Sequence, residues 1–321
     1  MAIRLIAEFF FGVVVSFLLG KGVLPTLRRL KAGQSIREEG PESHFVKGGT
    51  PTMGGVMFIL STLIGSMVFT LLGLRQVLIL ISMAGFGAIG FFDDYIKVVK
   101  KRNLGLRAWQ KLALQIGMAC LLIYFAMTHP ELSADVIVPG WGKAVSLGWL
   151  YVPFAIFVVV GTVNSVNLTD GLDGLSSGVS IVVLLFLGIL AHLFGTGDVL
   201  PLCLLLAGGL VGFLYYNHYP AKVFMGDMGS LALGGFVAAA ALLSRLSLFL
   251  PILGGIYFAE TLSVILQVAS FKLRHKRIFL MSPLHHHFEL KGWKETKVVS
   301  RFVGTSVVLG LLGLLLSRTL L

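Results

Sequence analysis

Charge is what this 321-residue chain has least of: 13% of its residues are Asp, Glu, Lys or Arg, against about 25% in a water-soluble domain. Acidic residues are scarcest, 15 against 26 Lys plus Arg. With 56% hydrophobic residues and a mean hydropathy of +0.91, the chain has too little charge to wet a globular surface. That excludes a soluble domain and leaves an integral membrane protein, either helical or a closed barrel. Short alternating runs, the mark of a barrel strand, are lacking. Runs such as IVVLLFLGILAHLF (181–194) and FVGTSVVLGLLGLLL (302–316) are unbroken and select helices. The two cysteines, Cys120 and Cys203, lie inside apolar runs, which argues against a disulfide framework or thiolate metal site and gives no redox compartment. The first apolar run (5–19) has a weak basic flank and no small-residue cleavage motif, so it reads as a retained span. No repeat or low-complexity segment stands out.

About ten spans are expected, at roughly 3–24, 53–72, 77–93, 112–128, 150–166, 176–194, 199–216, 230–244, 249–271 and 302–319. They form one polytopic catalytic domain over 1–321, with the third and fifth spans short for a bilayer. Of the 26 Lys plus Arg, 21 fall in loops on one side. The positive-inside rule makes that side cytoplasmic and both termini extracytoplasmic. The net charge of +11 is then a one-sided basic surface facing anionic membrane lipid. The basic loops lack interleaved aromatics and a recognisable module, so nucleic acid is not an expected partner. The outer segment 129–149 reads as a small β-hairpin around Pro139-Gly140.

The scarce polar residues are not scattered. Asp93 and Asp94 close the third span, and NSVNLTDGLDGLSSG (164–178) joins spans five and six. NHYPAKVFMGDMGS (217–230), running from Asn217 past Gly226, joins spans seven and eight. SPLHHHFELKGW (282–293) and HFVKGGTPTMGG (44–55) occupy the last and first basic loops. All five stretches fall on the basic side, and acids at a membrane edge are costly enough to mark a site. Each also has a structural reading. Asp93 precedes Lys97 by four residues, the order of a helical ion pair. Being adjacent, Asp93 and Asp94 point about 100° apart, which assigns them different roles. Asn167, Asp170 and Asp173 recur every three residues and are expected on one helical face, although Asp-Gly pairs are also ordinary turn formers. Ser230 is the expected N-cap of span eight. Consecutive histidines cannot all face one ion, so His285, His286 and His287 read as phosphate donors or an acid/base group rather than a zinc site. Glu260, near a span centre, reads either as a site residue or as a bundle-facing hydrogen bond.

Carboxylates, lysines, histidines and glycine-rich turns at one membrane face suit one chemistry. Helix N-termini approached by glycines hold phosphates. Carboxylates without thiolates select a hard ion, and Mg²⁺ held by one or two carboxylates plus substrate phosphates fits. Lys and His neutralise charge in a phosphoryl-type transition state. The residues themselves point to metal-assisted phosphoryl chemistry.

The set HFVKGGTPTMGG, GFFDDYIK, VNLTDGLDGLSSG, VFMGDMGS and PLHHHFE closely resembles the polyprenyl-phosphate N-acetylhexosamine 1-phosphate transferase family, on its phospho-N-acetylmuramoyl-pentapeptide branch. The resemblance runs from about residue 44 to 289, with five motifs in order and no departure at a motif position. It implies transfer of a phospho-sugar from UDP-N-acetylmuramoyl-pentapeptide to undecaprenyl phosphate, giving lipid I and UMP with Mg²⁺ required. It also brings a bacterial cytoplasmic-membrane enzyme whose site opens to the cytoplasm, and the assembly expected is a homodimer. Carried over by residue, Asp227 is the Mg²⁺ ligand, Asp93 the base for the lipid phosphate, and Asp94 lies near metal and phosphate. A covalent aspartyl scheme stays open beside the direct one. Asn167, Asp170 and Asp173 match nucleotide-side positions, with Phe224 placed to stack on uracil. Lys47, Thr52, Lys97, Lys111 and the run His285–His287 match substrate or phosphate contacts. Two alternatives remain at this point. One is a sister transferase of N-acetylglucosamine 1-phosphate, whose branch tends to an interrupted His-Ile-His-His motif. The other is a transporter or flippase, which would place its charges near the midplane.

Overall fold

The computed structural model describes residues 2–30, 48–69, 72–99, 105–141 and 143–318. Its helices are α1 (Ala2–Arg29), α2 (Val56–Phe69), α3 (Leu74–Val99), α4 (Ala108–Thr128), α5 (Tyr151–Thr169) and α6 (Leu175–Leu193). They continue with α7 (Leu200–Asn217), α8 (Gly226–Leu243), α9 (Leu250–Leu253), α10 (Gly255–Arg274), α11 (Leu284–Leu290) and α12 (Glu295–Arg318). Strands β1 (Asp135–Ile137) and β2 (Ala144–Ser146) pair antiparallel, with Val136 opposite Val145. The protein is an all-α membrane protein with one small hairpin.

Among the described residues, nine helical segments are long and apolar enough to cross a bilayer, and the span lengths differ from expectation in three places. Within the described residues α2 covers 14 residues, with Gly54 and Gly55 directly before its start. The third span is not short, since α3 runs 26 residues, carrying its helix past Asp93 and Asp94. The fifth is likewise full length, 22 residues counting the turn before α5. The ninth is broken, with α9 ending at Gly254 before α10 begins.

Polar contacts define one end of the bundle. Arg4 donates to the Phe69 carbonyl. Arg75 makes two bonds to Asp198, at 2.7 and 2.8 Å, and also reaches the Leu243 and Glu131 carbonyls. The Ile137 amide donates to the Arg245 carbonyl and the Gly140 amide to the Leu316 carbonyl. The hairpin, the first turn of α1 and the last turns of α12 therefore share one face, and the acidic motifs lie at the other.

Small residues set how closely the helices approach. Glycine and alanine dominate α8 (GDMGSLALGGFVAAAALL), and every residue from Gly229 to Leu243 is buried. The buried face of α1 carries Gly12, Ser16 and Gly20 at four-residue spacing. It meets Gly208, Gly209 and Gly212 of α7 backbone to backbone, the small-xxx-small mode of membrane packing. The same device joins α3 to α8: a Cβ on Gly90 would overlap the Asp227 carbonyl, and one on Gly87 would sit 3.2 Å from the Ala232 Cβ. Because a Cβ at Gly208 would run into the Phe9 carbonyl, Gly208→Val is expected to lower stability in SDS titration of detergent-solubilised protein by about 1–3 kcal/mol. Gly22→Ala, where nothing lies within 4 Å, is expected to be neutral or slightly stabilising.

Candidate active site

The approach of Gly90 to the Asp227 backbone brings the end of α3 against the start of α8. Asp94 Oδ2 accepts from the Met228 amide at 3.0 Å, so a carboxylate satisfies one of the orphan N–H groups in the first turn of α8. Gly226 is left-handed (φ 72°). A Cβ there would lie 2.5 Å from Asp94 Oδ2 and 2.6 Å from Thr52 Oγ1, so glycine is required on both counts. Asp93 points elsewhere: its Oδ1 accepts from the Leu106 amide at 2.8 Å, and its Oδ2 pairs with Lys97 Nζ at 2.5 Å. The two adjacent acids do take different partners.

Asp227 is the hub. Its Oδ2 receives Lys97 Nζ at 2.8 Å and Lys111 Nζ, from α4, at 3.0 Å. Its Oδ1 accepts from Asn167 Nδ2, at the end of α5, at 2.7 Å. The Asn167 amide also donates to Ser230 Oγ at 2.8 Å. Ser230 is not the expected N-cap, because α8 already starts at Gly226; its hydroxyl donates to the Gly226 carbonyl one turn back at 3.0 Å. Asp93 and Asp94 are 2% and 4% exposed, so the cluster is largely withdrawn from water.

Beyond Asn167 the helical face expected to carry three polar residues does not form. The helix α5 ends at Thr169, with Asp170 in its cap position and Asp173 in the turn before α6. The buried Asn217 clamps that turn: its Oδ1 accepts from the Gly174 amide and Ser177 Oγ, at 3.2 and 3.1 Å, while its Nδ2 donates to the Val223 carbonyl at 3.0 Å. Asp173 Oδ2 accepts from the Ala221 amide at 2.8 Å, and the Asp173 amide donates to Glu295 Oε1 at 2.6 Å. Burial, then the charges of Asp227, Asp94 and Asp173, holds the Asp170 carboxyl well above the usual carboxylate range.

The histidines separate. His285 is buried against Glu260 (1% and 0% exposed), with Nδ1 3.1 Å from Glu260 Oε1. Its Nε2 faces Gly171, where any Cβ would collide with it. His286 Nδ1 lies 2.8 Å from Glu289 Oε2. His287 Nδ1 accepts from the Leu280 amide at 3.1 Å, in keeping with a pKa lowered by burial and by Lys291. Half-buried Phe224 is held by its backbone between Pro51 and Gly54. Lys47 lies outside the described residues. Sequence reading missed Gly90, Glu295 and the role of Ser230. An acid directly after a basic loop was the available signal for Glu295; a glycine in an apolar run gives none.

The residues fit a hard cation. Asp93, Asp94 and Asp227 each offer an oxygen, all within 4.8 Å of one another, close to the span across an ion with bonds of about 2.0–2.6 Å. Among the described residues no sulfur or imidazole completes the set, which favours magnesium-like ions over zinc. Two ammonium groups already oppose the acids, so a second source of negative charge, such as a pyrophosphate, is needed for a cation and both lysines to share the site.

Oxygen ligands and lysines gathered at one end of a helical bundle define a membrane-embedded enzyme of phosphoryl transfer. The model for glycosyl transferase family 4 matches residues 76–245, over half the chain and most of the site. The chain belongs to that family, and within it to the phospho-N-acetylmuramoyl-pentapeptide-transferases. A relative of that name from Heliobacterium modesticaldum is 51% identical over 98% of both chains. Others from Caldanaerobacter subterraneus (50% identical, 93% of this chain and 95% of the relative) and Bacillus licheniformis (50%, 94% of each) carry the same name. These bacterial relatives and the apolar helices make it a multi-pass bacterial membrane protein.

Two outcomes follow from the geometry. Gly90→Ala should push the Asp227 backbone away from α3, and a displacement of about 1 Å at reacting groups costs about a hundredfold in rate. Nucleotide-release assays should show that loss with an unchanged elution profile and helicity. Glu260→Ala strands a buried imidazole and is expected to cost about 1–3 kcal/mol; in SDS titrations the Glu260→Ala/His285→Ala pair should cost less than the sum of its single variants.

Proposed function

We propose that the chain transfers phospho-N-acetylmuramoyl-pentapeptide from its UDP-linked form to undecaprenyl phosphate, giving lipid I and UMP, the first membrane step of peptidoglycan synthesis. The observation that carries this reading is the convergence of Asp93, Asp94 and Asp227 with Lys97 and Lys111 in a chain half identical to transferases of that name. The sister N-acetylglucosamine 1-phosphate enzyme and a transporter are not favoured by those relatives. The positive-inside rule supports a cytoplasmic basic side, and on that reading the acids lie within reach of a lipid phosphate at the inner leaflet.

Asp227 and Asp94 would hold Mg²⁺, which when bound supplies positive charge against the pyrophosphate oxygens. Asp93 takes the proton of the lipid phosphate. A phosphate oxygen of the lipid attacks the phosphorus that bears the sugar; the bond from that phosphorus to the UMP oxygen breaks, and UMP leaves with the electron pair. One pyrophosphate linkage replaces another, so no ATP is consumed. Lys97 and Lys111, already aimed at this point, steady the charge that builds on the equatorial oxygens. Asn167 keeps Asp227 Oδ1 oriented, and the 170–174 turn with Phe224 is assigned to the nucleotide side. His285 braces that turn, with His286, His287, Thr52 and Lys47 as further substrate contacts. The working assembly is a homodimer.

Asp93→Asn and Asp227→Asn should each cut UMP release by at least about a hundredfold while leaving the purified protein folded and monodisperse. Near-normal turnover in either removes that residue from the mechanism. Membranes given UDP-N-acetylglucosamine alone should release no UMP; release there and not with the muramoyl-pentapeptide donor would replace the proposed substrate.

A further inference from the structure

At the same end of the bundle as the acids, α1 and α7 leave an open groove of about 480 Å³, within the range of about 300–1,000 Å³ typical of small-molecule sites. Its apolar wall includes Phe17, Leu24 and Tyr215, and its rim carries Lys21, Arg28 and Lys222. Among the described residues no Asp or Glu lines it, and none of the three cations pairs with a carboxylate. Lys21 Nζ instead lies 5.2 Å over the Phe17 ring and Lys222 Nζ 5.1 Å over the Tyr215 ring. The C-terminal dipole of α1 accounts for basic residues in its last turn. It does not account for Lys222, which arrives from a different segment to face the same groove.

Three cations over an apolar, aromatic-lined trough match an amphiphile with an anionic head group. At a membrane boundary the anionic head groups at hand are those of the leaflet itself. We propose that this groove is a binding site for an acidic phospholipid, its phosphate held by Lys21, Arg28 and Lys222 and its first methylenes lying along Phe17 and Leu24. The site is separate from the reacting acids, and it touches the segment that leads to them. The Lys222 amide donates to the Tyr216 carbonyl at 2.8 Å, the neighbouring Ala221 is held by Asp173, and the chain then enters α8 at Gly226. A lipid phosphate on Lys222 therefore tethers the strand of backbone that delivers Asp227.

The test is native mass spectrometry of the full chain in detergent, titrated with phosphatidylglycerol or phosphatidylcholine of matched acyl chains. Phosphatidylglycerol should bind at least tenfold more tightly. With near-surface cations worth about fivefold in affinity each, Lys222→Gln should weaken it about fivefold and the Lys21→Gln/Arg28→Gln/Lys222→Gln variant about a hundredfold. The triple variant changes exposed residues only, and retained UMP release would show it folded; should it fail to fold, the Lys222→Gln result decides alone. Equal retention of the two lipids, or phosphatidylglycerol binding unchanged in these variants, overturns the proposal. So does displacement of the bound lipid by stoichiometric undecaprenyl phosphate, which would make the groove part of the acceptor path.

Discussion

The site depends on one steric permission: Gly90 lets α3 lie against the backbone of Asp227. Asp93 and Asp94 sit about one turn beyond that contact on α3, and Asp227 is in the first turn of α8. A side chain at the crossing would part the helices, and the carboxylates would move with them. The neighbouring contacts, Gly87 on Ala232 and Gly235 on Phe86, continue the close approach into the bundle. Lipid tails give helices no hydrophobic reason to associate, so close backbone packing has to supply the attraction. The packing that holds the bundle together therefore also fixes the distances between the acids.

Bringing three acids together away from water is costly, and the structure offsets that cost with identifiable partners. Lys97 bridges Asp93 and Asp227, Lys111 adds to Asp227, and the amides of Leu106 and Met228 each serve one carboxylate. With all three carboxyls ionised, two ammonium groups leave a formal charge of −1. A divalent cation and a substrate pyrophosphate would enter such a site as a compensating pair, in keeping with the proposed exchange of one pyrophosphate for another. The Asn217 clamp and the Glu260–His285 pair act at longer range. They pack the turn carrying Asp170 and Asp173 against Asn217, Val223 and His285, outside the reacting centre.

Much of this was legible in the sequence because apolar surroundings make polar residues conspicuous. Asp93, Asp94 and Asp227 stood out as acids at the ends of oily runs, and the lysines marked one face. Periodicity misled where glycine intervened. Asn167, Asp170 and Asp173 have helical spacing, but α5 ends at Thr169 with Asp170 as its cap and a turn leads through Gly174 into α6, so the three residues part. Ser230 has the chemistry of a cap, but α8 starts four residues earlier, where the left-handed Gly226 permits it. The break at Gly254 follows a local glycine that hydropathy averages over. Gly90 carries no chemical signal of its own; its importance exists only once α8 is beside it.

The central claim is that Asp94 and Asp227 form one cation site, with Asp93 beside it. Electron paramagnetic resonance of Mn²⁺ added to the full chain in lipid nanodiscs, with and without UMP, measures that site directly. One bound Mn²⁺ per chain, strengthened by UMP and lost in both Asp94→Asn and Asp227→Asn, is the result expected. Stoichiometric Mn²⁺ that persists undiminished in both variants would place the cation elsewhere and contradict the account.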